Sequence, residues 1–97
     1  MYGLISKITA VTGEREALAD LLIQASVAMD GCRSYVVALD AEDADALWVT
    51  EVWDSAESHR ASLQTPAVQD AIASGRPLIA SMGPERFETV PVGGSGL

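Results

Sequence analysis

Residues 47–66, Leu47-Trp48-Val49-Thr50-Glu51-Val52-Trp53-Asp54-Ser55-Ala56-Glu57-Ser58-His59-Arg60-Ala61-Ser62-Leu63-Gln64-Thr65-Pro66, change period halfway along. The first seven alternate. Leu47, Val49, Glu51 and Trp53 fall on one face of a strand, and Trp48, Thr50 and Val52 fall on the other. From Asp54 the pattern is helical, with Asp54 placed to cap and Glu57 placed as a capping-box acid. A strand that runs straight into a helix sets Glu51, Trp53 and His59 around one pocket. His59 is the only histidine in the chain and so the first candidate for proton transfer near neutral pH.

Outward from this stretch the chain falls into order. Tyr2–Val11 alternates as a strand, with Leu4, Ser6 and Ile8 on one face and Ile5, Lys7 and Thr9 on the other. A helix is predicted over 13–29, capped by Thr12 or Gly13 and ended by Asp30-Gly31. Its apolar stripe is Leu18, Leu21, Leu22, Ala25, Ala28 and Met29. Arg33–Leu39 is the second strand, joined to the third by the acidic turn Asp-Ala-Glu-Asp-Ala-Asp-Ala at 40–46. A solvated hairpin loop fits those charges better than a calcium loop, which needs a longer ligand series and a glycine at its bend. After the helix at 55–63, Thr65 and Pro66 restart helical structure, with Val68, Ala71, Ile72 and Gly75 on its inner side. Leu78–Met82 reads as one more turn, Gly83-Pro84 as a break, and Glu85–Val92 as the last strand. The tail at 93–97 is flexible by composition.

The order β-α-β-β-α-β is that of the α+β, ferredoxin-like arrangement: one antiparallel sheet with helices on one face. Residues 1–97 make one domain. The uncovered face carries Ile5, Thr9, Trp48 and Val52, too apolar for water, so a second copy packed sheet to sheet is expected. Six Lys and Arg against fourteen Asp and Glu give a net charge of −8 and argue against nucleic acid or an anionic membrane as partner. One cysteine excludes a disulfide-built fold. With no apolar run at the N-terminus and none of spanning length, a cytoplasmic protein is the default expectation. One His and one Cys make no metal cluster, and no glycine-rich phosphate loop precedes a helix. No metal, flavin or nicotinamide cofactor is therefore expected.

Glu51-Val52-Trp53-Asp54-Ser55, with Leu63-Gln64-Thr65-Pro66 after it, Gly31-Cys32 leading into Tyr35 before it, and the Pro91–Leu97 ending, resembles the antibiotic biosynthesis monooxygenase family. These are small dimeric α+β barrels that include proteins described as quinol monooxygenases. The resemblance covers nearly the whole chain. It implies cofactor-free oxygenation of a small aromatic quinol or polyketide-like dihydroxyaromatic by dioxygen. It also implies that Trp53 lines the pocket, and that His59 stands where aromatic-polyketide relatives carry a hydroxyl-bearing aromatic. Ser62 stands where many quinol-oxidising members have histidine. Ser6, Ser62 and Ile72 stand where the haem-degrading branch has asparagine, tryptophan and histidine, which argues against haem chemistry.

The candidate catalytic residues are His59, as base, and Trp53, as aromatic wall. Candidate substrate contacts are Ser6, Tyr35, Val49, Glu51, Ser62 and Ile72. Plainer readings stand beside these. His59 can be a surface histidine, Trp53 plain core, and Glu51 half of a structural pair with Arg76. A dimer that binds or carries an apolar ligand and a proton-transferring isomerase are the alternatives to an oxygenase.

Overall fold

A computed structural model describes residues 1–97. Its strands and helices are β1 (Tyr2–Ala10), α1 (Arg15–Ala25), β2 (Cys32–Leu39), β3 (Ala46–Trp53), α2 (Ala56–Ser62), α3 (Pro66–Gly75), β4 (Ile79–Ser81) and β5 (Arg86–Thr89). The sheet is antiparallel. It runs β2-β3-β1, and both β4 and β5 lie along the free edge of β1. This is the ferredoxin-like α+β fold.

Register fixes the faces. Leu4, Ser6 and Ile8 oppose Glu51, Val49 and Leu47 across the β1–β3 ladder, and Tyr35 and Val37 oppose Glu51 and Val49 across β2–β3. Residues paired across a ladder share a face, so all of these point toward the helices. There Ile8, Ala10, Leu18, Ala19, Leu47 and Val49 form the core, with Leu22, Tyr35, Val37, Leu78 and Ile79 packed around it. Burying such side chains contributes about 1.5–3 kcal/mol each. Ile5, Lys7, Val36, Trp48, Thr50, Val52 and Phe87 take the opposite face.

Several elements differ from the sequence reading. The first helix is shorter: α1 ends at Ala25 and the chain tightens into a 3₁₀ turn over Ser26–Ala28. Its cap residue is Glu14, without a side-chain cap bond, rather than Thr12 or Gly13. The turn expected at Leu78–Met82 is a 3₁₀ turn over Arg76–Leu78 followed by the short strand β4. The edge of β1 decides this. Thr9 and Ala10 offer ladder groups there, and Ser81 and Ile79 pair with them. The last strand stops at Thr89 instead of Val92.

The acidic turn satisfies itself. Asp40 Oδ1 accepts from the backbone N–H groups of Glu42 and Asp43, each at 2.9 Å, and Oδ2 accepts from Trp48 Nε1 at 2.8 Å. These donors pull the Asp40 carboxyl down to about 2. Arg15 clamps the same loop by donating to the carbonyls of Asp40, Asp43 and Ala46. No helix is long and apolar enough to cross a membrane.

Candidate active site

The joint between β3 and α2 builds the site. Trp53 ends β3 at 1 % exposure. Ser55, not Asp54, caps α2, its Oγ accepting from the Ser58 N–H at 3.1 Å. Asp54 instead pairs with Arg33 at 2.7 Å, an exposed bridge of small worth. Its N–H donates to the Gly31 carbonyl at 2.9 Å, which ties the joint to the start of β2.

With this joint set, the first turn of α2 brings His59 over the end of the sheet. The His59 ring meets Trp53 edge-on, with centroids 5.3 Å apart, and lies 5.5 Å from the Tyr2 ring. Tyr2 opposes Trp53 in the ladder. The imidazole therefore sits in a corner between two aromatic rings, one from each of the two central strands. Burial is the main force on its titration and pushes it below its ordinary value; Arg86 and Arg60 push the same way, and Glu88 opposes them. The neutral, proton-accepting form is favoured.

Glu51 lies one ladder row inward. Its Oε1 accepts from Trp53 Nε1 at 3.0 Å, which fixes the indole. Burial pushes the Glu51 carboxyl up, and the indole N–H and the Arg86 charge partly offset that. No ion pair with Arg76 forms; the chain's two ion pairs are Arg33–Asp54 and Arg60–Glu57. Tyr35, beside Glu51 in the ladder, has its phenol pushed far up by burial and by the Glu51 charge. It remains a neutral hydroxyl at any working pH. Cys32 opposes Trp53, and burial and Glu51 also raise its thiol.

The other predicted contacts divide. Val49 is buried in the core beside Ser6, which is half-buried on β1. Ser62 is buried with its hydroxyl committed to its own helix, donating to the His59 carbonyl at 2.6 Å. That bond holds the turn that carries His59. Ile72 is exposed on α3, the helix that packs against α1. Tyr2, Arg86 and Glu88 are absent from the sequence-based set and belong to this corner.

A cavity of about 380 Å³ lies between α1 and α3, lined by Leu21, Ala25, Met29, Val68 and Ala71 among others. It contains neither Trp53 nor His59. Its one titratable wall residue is Asp70. No group of three or more His, Cys, Asp or Glu side chains converges as a metal site would.

Residues 1–74 match the family model for antibiotic biosynthesis monooxygenase. A crystal structure from Chloroflexus aurantiacus J-10-fl, assigned to the same class, superposes with a TM-score of 0.92 at 61% identity, over 96% of this chain and 94% of that one. One from Deinococcus radiodurans matches at TM-score 0.78 and 23% identity, covering 97% and 95%. One from Caulobacter crescentus CB15 matches at 0.83 and 14%, covering 95% and 90%. The last two show likeness of fold alone. No curated protein matches.

Proposed function

The chain belongs to the antibiotic biosynthesis monooxygenase family, and on that premise we propose that it oxygenates a small aromatic quinol with dioxygen, without a cofactor. The observation that carries this reading is His59, held neutral in a corner between Tyr2 and Trp53. A quinol reduces dioxygen far more readily as its anion, so the first requirement is a base at the substrate hydroxyl.

His59 takes that proton. The quinolate then passes one electron to dioxygen in the apolar space beside Trp53, and the resulting radical pair joins to form a hydroperoxide. Loss of water leaves a hydroxyquinone. One oxygen atom has entered the ring and the other has left as water. All four electrons come from the quinol; the imidazolium's proton turns the ring peroxide into the hydroperoxide, and the ring C–H proton leaves with the departing hydroxide as water. Glu51 fixes the indole, and Tyr35 and Ser6 offer neutral hydroxyls to the substrate's second oxygen. Val49, Ser62 and Ile72 complete the proposed lining.

The working form in this reading is a homodimer of the full chain, residues 1–97, with 93–97 as a tail. Its setting is the cytoplasm, where the single cysteine stays a thiol.

Dioxygen uptake on a panel of substituted hydroquinones tests the reaction. One accepted quinol should consume one dioxygen per hydroxyquinone formed, with added metal or flavin making no difference. Tight binding of quinols with no uptake would leave a carrier. Quinol-independent proton exchange on a ketone would leave an isomerase.

A further inference from the structure

A reaction that runs through a quinol anion needs positive charge where the anion sits. Ladder register supplies one. Arg86 opens β5 opposite Ser6, and Glu88 stands opposite Leu4, so both lie on the helix-facing side of the sheet, with Trp53 and Glu51. The other cations are otherwise engaged or elsewhere. Arg15 clamps the acidic turn, Arg33 holds Asp54, Arg60 meets Glu57, and Lys7 lies over Trp48 on the opposite face. Arg76 follows the end of α3. Arg86 takes part in neither of the two ion pairs. Its charge nevertheless reaches the corner, where it is felt at Tyr2, Glu51 and His59.

We infer that Arg86 holds the ionised oxygen of the substrate, so that the pocket selects phenolates over neutral aromatic rings. The inference rests on the quinol reading above. A guanidinium offers a forked pair of donors to one oxygen and keeps its charge at every working pH. Glu88 is its nearest competitor on the same strand. The carboxylates of Glu51 and Glu88 and the phenols of Tyr2 and Tyr35 bring no positive charge, and His59 gains one only by taking the substrate's own proton. Arg86 is thus the one permanent cation of this face.

A nitrophenol tests this without any oxygen chemistry, because it ionises near neutral pH, its phenolate is coloured and dioxygen does not oxidise it. The full chain is titrated with nitrophenol across the pH range in which the free compound ionises. Bound nitrophenol should ionise at lower pH than free nitrophenol, by about one unit, which is a tenfold preference for phenolate. Arg86→Gln should abolish that preference and leave affinity for the neutral phenol unchanged. Arg86→Lys should keep part of it, and His59→Ala should keep it all. Arg86 is exposed on an edge strand, so Gln there leaves the core untouched. An unshifted ionisation in the wild type, or a shift that survives Arg86→Gln, overturns the inference. Quinol oxygenation with an unshifted nitrophenol removes the role of Arg86 and keeps the oxygenase. An Arg86-dependent shift with no oxygen uptake does the reverse.

Discussion

His59 is a weaker base than a free histidine and a more available one. Burial disfavours its charged form, and two arginines add to that. At neutral pH it is ready to accept a proton. Turnover should therefore rise with pH and reach half its maximum below about 6.5, the ordinary histidine value. His59→Ala should lower turnover by roughly 10² to 10⁴, with partial recovery as the pH nears the quinol's own pKa. Trp53 should behave differently. Its near-complete burial makes Trp53→Ala cost about 3–5 kcal/mol of stability, so Trp53→Phe is the cleaner probe. That variant leaves Glu51 without its indole donor and should weaken binding while the midpoint of the pH profile stays put. A pH–rate series on one accepted quinol measures all three, and a wild-type profile for His59→Ala would make His59 a bystander. At this scale the sequence is legible over short spans. Glu51, Trp53 and His59 lie within nine residues, and a strand running into a helix places them together by local geometry alone. Tyr2 and Arg86 are remote in sequence. Only register brings them in, and alternation tells a residue's face but not its neighbour across the ladder.

Two elements meet closely where β2 begins under α2. Gly31 has φ +81, and a Cβ there would lie 2.7 Å from Ser58 Cβ and 2.8 Å from its Oγ. Ser58 immediately precedes His59, so whatever displaces Ser58 displaces His59. Gly13, before α1, has a similar φ of +85 and nothing within 4 Å of a Cβ. The two glycines separate strain from collision. Gly13→Ala should cost about 1–2 kcal/mol, the strain of a left-handed L-residue alone. Gly31→Ala should cost more in urea unfolding and should also lower turnover. Equal losses at the two positions, with activity intact, would show that α2 gives way freely. The sequence marks Gly31 as left-handed because it follows a helix, but nothing local says that α2 will pack on it. The same limit explains the caps and β4. Asp54 is as good a cap as Ser55 by type, and it is drawn off by Arg33 from another strand. Ile79–Ser81 becomes a strand because β1 has a free edge there, which is a fact about the sheet and not about those three residues.

The whole molecule leaves one face of its sheet bare. Ile5, Trp48 and Val52 are half-buried there, and Val36 and Phe87 are 53% and 54% exposed. Lys7 lies above Trp48, and Asp40, which accepts from the Trp48 indole N–H, stands at the end of this face. Most of the chain's −8 lies elsewhere, on the helices, loops and rim. Two copies joined sheet to sheet would bury roughly 800 Å² each if the interface is of ordinary size. At about 25 cal/mol per Å² of apolar area the gross gain exceeds the cost of association, even with some repulsion between two acidic subunits. Raised salt should tighten the dimer slightly, because it screens that repulsion and leaves the apolar contact intact. Val36→Asp is the sharpest test. The side chain is half exposed in the protomer, so the substitution spares the core, yet in a two-fold interface it places two carboxylates in a dry seam. The wild type should sediment as a dimer at micromolar concentration, and Val36→Asp as a monomer with unchanged circular dichroism. Phe87→Asp should do the same from the neighbouring edge strand. A well-folded wild-type monomer under those conditions would mean that this face meets something other than a second copy.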